Sequence, residues 1–168
     1  RSRRRRAKRS SMSISTSYDE RNRPYEPVGS ARELLYSRDP EVCLVGPAGT
    51  GKTRANLEKL NLVCSKYEGA KCLILRKTRA SCTDSVLPTF EEKVLPEGSP
   101  VKDGAMRRNR HSYVYPNRSE IVAGGMDKPT RILSTEWDII YVAEAIELEE
   151  DEWETLTGRL RNWKLPYQ

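Results

Sequence analysis

The residues with the clearest chemical signature form a short glycine-rich segment, GPAGTGKT, at positions 46–53. It matches the pattern G-x-x-x-x-G-K-[ST] and lies between an apolar run and a helical pattern. Glycines allow a tight turn that directs backbone N–H groups inward, and these donors together with a helix N-terminus stabilise a phosphate anion. Lys52 supplies a positive charge for the β- and γ-phosphates, and the Thr53 hydroxyl can ligate Mg²⁺. The predicted nucleoside triphosphate site comprises Gly46, Pro47, Ala48, Gly49, Thr50, Gly51, Lys52 and Thr53.

A second candidate, Glu144, follows the apolar run 139–142. Hydrolysis of a bound triphosphate requires a carboxylate at the tip of a neighbouring strand, where it orients water. We therefore predict that Glu144 is the catalytic base. The usual pattern at such a strand end is Asp-Glu, but here the Asp position is occupied by Ala143, whose side chain has no oxygen. Mg²⁺ would then depend on Thr53, phosphate oxygens and water, or would be reached by another acid such as Glu147.

Arginine side chains could stabilise the negative charge of the transition state. The candidates are Arg76, Arg79, Arg131, Arg159 and Arg161. Arg76 and Arg79 follow a predicted strand, at the edge where open α/β sheets bind ligands, and could face phosphate of ATP or of nucleic acid. Upstream of the glycine-rich segment, Tyr25 and Arg23 are candidates for stacking on adenine.

Three apolar runs predict the buried parallel strands that would present these side chains. They are EVCLVG at 41–46, AKCLILRKT at 70–78 and WDIIYVAEA at 137–145. A further alternating segment, 111–125, surrounds Pro-Asn-Arg-Ser and predicts a β-hairpin. Strands that alternate with helices imply a mostly parallel α/β sheet with right-handed crossovers.

Four segments have helical patterns, and they lie at 30–36, 52–67, 87–95 and 148–160. Ser30 is the expected N-cap of the first helix. The second helix places its apolar residues 57, 60 and 64 on one side, which predicts the face that packs against the sheet. The last begins with acidic residues, as the helix dipole favours.

The composition indicates one compact domain and a basic tail. The chain has 168 residues, of which 36% are hydrophobic, and its net charge is +6. Residues 1–11 hold seven of the basic residues and no acid, which leaves 23 basic against 24 acidic residues in the rest. Residues 1–24 have no hydrophobic period, so we expect a disordered tail there and a folded domain at 25–168. Residues 1–11 are either an extension upstream of Met12 or a basic arm for nucleic acid phosphates.

Charge is also segregated within the expected domain. Residues 104–131 hold six basic and two acidic side chains, whereas 136–154 hold nine acids and no base. Each region is either a solvated face or part of a groove for a polyanion beside a metal-dependent site. The sequence has no apolar run of about 18 residues, which excludes a membrane-spanning helix.

The four cysteines lack metal-ligand spacing, so a zinc site is not expected. Cys43 and Cys72 lie inside apolar runs, where a thiol behaves as a small core hydrophobe. We expect reduced thiols.

Taken together, several motifs resemble the large terminase subunit of tailed bacteriophages over residues 25–168. The segments that carry the resemblance are GPAGTGKT, LILRKTRAS, GGMDKPTRILSTEWDIIYVAEAIEL and ETLTGRLRN with the closing LPYQ. The glycine-rich segment alone is unspecific. Its combination with the GMD, WD, EAIEL and RLRN segments is much more specific.

The resemblance implies an ATPase domain with a RecA-like, three-layer P-loop fold of the additional-strand, catalytic-glutamate class. It implies that ATP and Mg²⁺ are bound and that hydrolysis drives double-stranded DNA into a procapsid through a portal. A small terminase subunit, assembly into a homo-oligomeric ring and a location in the host cytoplasm are implied as well. The family's catalytic glutamate corresponds to Glu144.

The resemblance further implies a strand with a Thr/Ser-Asn-Pro coupling motif and a nuclease domain beyond Gln168. We therefore expect this chain to be either a fragment of a larger protein or a truncated reading frame, with an incomplete sheet and an exposed apolar edge. Two alternatives remain open. One is another P-loop helicase or translocase, and the other is a nucleotide- or DNA-binding module without turnover.

Overall fold

The computed structural model describes residues 24–166, which form a four-stranded sheet with helices on both faces. The strands are β1 (Lys71–Arg76), β2 (Ser112–Val114), β3 (Glu120–Gly125) and β4 (Ile139–Val142). Their spatial order is β2-β3-β1-β4, in which β1 pairs in parallel with β3 and β4, and β2 pairs antiparallel with β3. This confirms an α/β fold with a mostly parallel sheet, the predicted strand within 70–78 and the hairpin within 111–125.

Two α-helices precede β1, and the others lie between strands or after β4. The helices are α1 (Ser30–Tyr36), α2 (Lys52–Lys66), α3 (Arg79–Ser81), α4 (Leu87–Thr89), α5 (Thr130–Leu133) and α6 (Glu150–Thr157). Short 3₁₀ turns lie at Pro100–Lys102 and Ala145–Glu147. In the described part of the chain, no helix is long and apolar enough to cross a bilayer.

Alternate residues of β1 divide the core into two clusters, because successive side chains point to opposite faces of a strand. Cys72 and Ile74 pack with α2 on one face, whereas Leu73 and Leu75 pack with α5 and α6 on the other. The predicted apolar side of α2 is confirmed, since Leu57, Leu60 and Cys64 are all buried in the first cluster.

A continuous helical stretch runs from residue 79 to 94, longer than the predicted helix at 87–95. It consists of α3, a π-helical segment Cys82–Val86, α4 and a second π-helical segment Phe90–Val94. Pro88 has no N–H and its ring crowds the carbonyl four residues earlier, which accounts for the wide turn before it.

The predicted strand at 41–46 is wrong. These residues form irregular backbone without a strand partner among residues 24–166, and Val42 and Val45 are exposed. Cys43, expected in the core, is also exposed, while Cys72 is buried as expected. An apolar run becomes a strand only where its backbone forms hydrogen bonds with a neighbouring strand. Strand β4 is at the edge of the described sheet and pairs with β1 alone, so residues 41–46 do not add to it.

The start of α1 differs from the prediction, whereas the start of α6 agrees with it. Ser30 is the first residue of α1 rather than its cap, because Gly29 occupies the N-cap position without a side-chain hydrogen bond. By contrast, the acidic start of α6 forms a capping box, in which the Glu149 side chain accepts from the backbone of Glu152 and the Glu152 side chain accepts from that of Glu149. The predictions for residues 1–23 lie outside the described residues.

Candidate active site

The glycine-rich segment forms a loop that ends at the first turn of α2. Gly49 and Gly51 adopt φ angles of 78° and 82°, which glycine accepts and other residues rarely do. Gly51 is the N-cap of α2 and has no side chain, so no side-chain oxygen occupies the free N–H groups of the first turn. The loop therefore presents backbone donors at the positive end of a 15-residue helix, an arrangement suited to an anion.

Lys52 places its ammonium group inside this loop. Its Nζ donates to the carbonyl oxygens of Gly46 at 2.7 Å and Pro47 at 2.6 Å, and to Thr50 Oγ1 at 3.3 Å. All three partners are neutral, and the ion pairs of residues 24–166 include none with Lys52. The charge of Lys52 is thus not neutralised by an acid and remains available to a phosphate.

Tyr141 connects this loop to the carboxyl end of β4. Its phenol lies near the side chains of Thr53, the second residue of α2, and of Glu144 and Arg76. Burial raises the pKa of Tyr141, and the nearby Thr53 hydroxyl partly offsets that effect. The structure therefore gathers residues from the loop, β1 and β4 around one phenol.

Glu144 lies immediately beyond β4 in a left-handed backbone conformation, with φ 57° and ψ 58°. Such a conformation is unfavourable for a residue with a Cβ and is often found at functional sites. The Glu144 side chain is exposed, whereas Ala143 is buried in the cluster that contains α2. Ala143, which faces α2 at the end of β4, thus offers no side-chain oxygen, as the sequence indicates.

Arg76, at the end of β1, is engaged by an acid from the neighbouring strand end. Its guanidinium donates to the two carboxylate oxygens of Glu147 at 2.5 and 3.3 Å and to Ser85 Oγ at 2.9 Å. Glu147, the alternative acid for Mg²⁺, is thereby paired with a cation. Arg76 is the one predicted arginine that the structure places beside Tyr141.

Arg79 joins the 79–94 helical stretch to two loops at the same edge of the sheet. Its guanidinium donates to Thr83 Oγ1 at 2.9 Å and to the carbonyl oxygen of Arg110 at 2.5 Å, while its backbone N–H donates to Asp127 Oδ1 at 2.9 Å. These contacts give Arg79 a structural role. A role for its side chain toward ATP or DNA remains a prediction.

The other predicted arginines lie on the far side of the sheet from the loop. Arg131 is exposed on α5, and Arg159 and Arg161 follow α6. Both helices pack on the face opposite α2. The structure therefore does not bring these residues together with the glycine-rich loop.

Tyr25 lies against the first turn of α2. Its ring centre is 4.8 Å from the guanidinium of Arg54, the residue after Thr53, and Arg54 in turn pairs with Glu58 at 3.3 Å. Stacking of adenine on Tyr25 remains a prediction, and its suggested partner Arg23 lies outside the described residues.

The basic region at 104–131 is partly neutralised by its own surroundings. Arg107 pairs with Glu91 at 2.6 Å and with Glu92 at 3.1 Å. Arg110 is buried, donates to the carbonyl oxygens of residues 101, 102 and 105, and lies 5.0 Å from the ring of Tyr113. These two of the six basic side chains stabilise the fold, and Arg110 is not exposed to a polyanion.

The WD and RLRN segments also have a structural explanation. Trp137 is fully buried and its indole N–H donates to the carbonyl of Ile132 at 3.1 Å. Asp138 accepts hydrogen bonds from the backbone of Lys71, the side chain of Asn162 and the backbone of Lys164 at 2.6 to 2.8 Å. These residues fasten the C-terminal segment to the start of β1 and are not part of the candidate site.

Comparison with known proteins supports the resemblance found in the sequence. A family model described as phage terminase large subunit matches residues 40–168, which include the loop, all four strands of the described sheet and α6. No curated protein matches the chain, and no solved structure does. Because the family model covers well over half of the sequence, this chain belongs to the phage terminase large subunit family.

Proposed function

We propose that this chain is the ATP-hydrolysing motor domain of a DNA-packaging terminase. The observation that carries the proposal is the glycine-rich loop at 46–53, which we call the phosphate loop, on the uncapped start of α2, with Tyr141 near both Thr53 and the strand-end Glu144. An anion-binding loop beside a strand-end carboxylate is the arrangement that triphosphate hydrolysis requires. The family match favours a terminase over an unrelated helicase.

Several residues of the loop fit a Mg²⁺–ATP complex. The loop N–H groups and Lys52 would bind the phosphates, and the Thr53 hydroxyl would be the protein ligand of Mg²⁺. No group of three or more acidic, histidine or cysteine side chains in residues 24–166 forms a metal site by itself. The ion's other ligands would thus be phosphate oxygens and water. Bound Mg²⁺ would neutralise charge on the phosphates.

Glu144 is the proposed base. Its carboxylate would accept a hydrogen bond from the attacking water and orient that water toward the γ-phosphate. Arg76 lies at the adjacent strand end and could stabilise the charge that develops there once it is released from Glu147.

Double-stranded DNA is the proposed substrate of translocation, in the host cytoplasm. The portal, the procapsid, a small terminase subunit and further copies of the chain in a ring are the proposed partners. This part of the proposal rests on membership of the family.

Phosphate release by the full chain with Mg²⁺ and ATP tests the proposal. We expect Lys52→Ala to lose both ATP binding and hydrolysis. Glu144→Gln should retain ATP binding while its turnover falls by at least about 100-fold, because it keeps the shape of the side chain and removes the base. Normal hydrolysis by Glu144→Gln would refute the assignment of the base.

A second candidate function is nucleotide binding without turnover. Ala143 favours it, because the residue that faces α2 at the end of β4 offers no ligand to Mg²⁺. In that case the unmodified chain would bind ATP in a Lys52-dependent manner, and phosphate release would equal that of Glu144→Gln.

A further inference from the structure

The short segment that carries the proposed base is held at both of its ends by the last two residues of β1. At its start, the N–H of Ala143 donates to the carbonyl oxygen of Leu75 at 2.9 Å. At its end, the two carboxylate oxygens of Glu147 accept from the Arg76 guanidinium at 2.5 and 3.3 Å. The end of β1 therefore fixes both ends of residues 143–147, which we call the glutamate turn.

The backbone of the glutamate turn has a conformation that needs such support. Glu144 has φ 57° and ψ 58°, and the N–H of Glu147 donates to its carbonyl oxygen at 2.9 Å across the 3₁₀ turn. A residue with a Cβ keeps a left-handed conformation only where the surrounding contacts hold it. Because Glu147 is bonded to the backbone of Glu144, a displacement of Glu147 would change the direction in which the Glu144 side chain points.

The arginine that holds Glu147 is itself oriented by a second element. Arg76 also donates to Ser85 Oγ at 2.9 Å, and the Ser85 hydroxyl donates to the carbonyl oxygen of Ser81 at 2.6 Å in the 79–94 helical stretch. Only 16% of the Arg76 side chain is exposed. A planar guanidinium that donates to both oxygens of a carboxylate fixes the orientation of that carboxylate as well as its distance. The contacts of Arg76 are thus those of an anchor for the glutamate turn.

We propose that Arg76 and Glu147 are positioning residues for hydrolysis, whose ion pair holds the glutamate turn so that Glu144 keeps the orientation in which it activates water. The inference rests on the proposed function, since it assumes that Glu144 is the base. Both residues act through Glu144 and contact neither the nucleotide nor Mg²⁺ in this scheme. Arg76 stays bound to Glu147 during turnover, and its release toward the phosphates is an outcome that the test must exclude.

The test measures kcat and KM separately for phosphate release by the full chain with Mg²⁺ and ATP. Glu147→Gln keeps the shape of the side chain and removes the charge that Arg76 binds. We expect its kcat to fall by about 5- to 20-fold and its KM to stay within about 2-fold, because the base is displaced while the contacts to the nucleotide are intact. Arg76→Gln should have the same effect. The double variant should be no slower than the slower single variant, because both residues act through one contact.

The matched control is Lys77→Gln. Lys77 follows Arg76 in the chain and also pairs with an acid beyond β4, since its Nζ lies 2.8 Å from both carboxylate oxygens of Glu152. Because Glu152 belongs to α6 and not to the glutamate turn, this variant should keep its kcat. Hydrogen exchange adds a measurement that needs no ATP. The amides of residues 144–148 should exchange at least about 3-fold faster in Glu147→Gln than in Lys77→Gln or the unmodified chain.

Each contrary result has a distinct meaning. If the unmodified chain hydrolyses ATP and Glu147→Gln keeps its kcat, the inference is wrong and the proposed function stands. If either single variant raises KM, or Arg76→Gln alone lowers kcat, the residue acts directly on the nucleotide or its metal, and the inference is again wrong. Equal losses of kcat in Lys77→Gln and Glu147→Gln would also refute it, because any ion pair at this edge would then have the same effect. If the unmodified chain releases no phosphate, the proposed function fails and the inference fails with it.

Discussion

At the scale of single residues, the carboxyl edge of the sheet is crowded as well as charged. Gly125, the last residue of β3, lies directly against the start of the 79–94 helical stretch. A Cβ at position 125 would lie 2.1 Å from the backbone nitrogen of Arg79 and 2.3 Å from Asp127 Oδ1. Glycine is required there because backbone cannot move aside as the end of a flexible side chain can.

Gly125→Ala should therefore destabilise the fold by more than about 3 kcal/mol, since the clash must displace a strand or a helix. Urea unfolding measures the loss. Gly98→Ala is a suitable control. Position 98 has a φ of 70°, and the Cβ of an alanine there would have no other atom within 4 Å. Its cost should be only that of a left-handed alanine, about 1–2 kcal/mol. Equal losses in the two variants would contradict the steric argument.

The residue scale also shows what the sequence could predict of the site. The loop at 46–53 could be predicted because its glycines, lysine and threonine are close in the chain and their spacing has a direct physical meaning. The proximity of Tyr141 to Thr53 could not, because it depends on how β4 packs against α2. A tyrosine within an apolar run is typical of a core residue, and nothing local distinguishes this one.

At the scale of elements, α1 is attached to α2 by a lysine. Lys59 Nζ donates to the carbonyl oxygens of Leu34 at 3.0 Å and Ser37 at 2.9 Å, at the C-terminal end of α1. A cation at that end satisfies carbonyls that lack helical partners and suits the helix dipole.

Lys59→Ala should loosen α1 locally and leave the sheet intact. We expect amide hydrogens of residues 30–37 to exchange at least about 5-fold faster, the effect of losing charge-assisted hydrogen bonds worth about 1 kcal/mol or more, while those of β1 are unchanged. Hydrogen exchange with mass spectrometry measures both. Lys66→Ala, in the exposed last turn of α2, provides the control. Equal protection of α1 in the Lys59→Ala variant and the unmodified chain would show that the lysine does not hold it.

Helix α2 also carries a carboxyl group whose ionisation opposes folding. Burial raises the pKa of Glu58 above its ordinary value of 4.5, against the lowering effect of Arg54. The folded state therefore binds the proton more tightly, so its stability is highest below the unfolded pKa and falls as the pH rises through the folded pKa.

Glu58→Gln should remove this pH dependence. We expect the variant to be more stable than the unmodified chain at pH 7, by a fraction of a kcal/mol because the buried carboxyl is partly paired with Arg54. It should lose that advantage below about pH 4.5, where the parent carboxyl is protonated in both states. Thermal unfolding at pH 4 and pH 7 measures the difference. A variant that is less stable than the parent at pH 7 would mean that the pair with Arg54 outweighs the cost of burial.

Some elements could be predicted from the sequence and others could not. Helix α2, β1 and the hairpin have strong local patterns, and all are confirmed. The first part of the 79–94 stretch was not predicted, because its serine, threonine and cysteine residues favour helix weakly and its helical form depends on buried contacts such as Cys82 and Val86. The run at 41–46 is apolar enough for a strand, but strand formation needs a partner edge that a local pattern does not specify.

At the scale of the whole molecule, three parallel strands bring their carboxyl ends to one edge. Arg76, Gly125 and Ala143 end or follow β1, β3 and β4 at this edge, and the loop before α2 faces the same region through Tyr141. Open α/β sheets bind ligands at this edge because the loops there are free to approach a ligand while the strands fix their ends. The family match places this arrangement in a phage terminase large subunit.

The central claim is that this edge binds a nucleoside triphosphate through the loop at 46–53. The most direct measurement is a calorimetric titration of the full chain with the imido analogue of ATP in Mg²⁺, carried out in parallel on Lys52→Ala and on Lys66→Ala. The account predicts one binding site in the unmodified chain and in Lys66→Ala, and a loss of affinity of at least about 100-fold in Lys52→Ala, because the lysine pairs with phosphate oxygens. Absence of binding to the unmodified chain, or equal affinity of Lys52→Ala, would contradict the account.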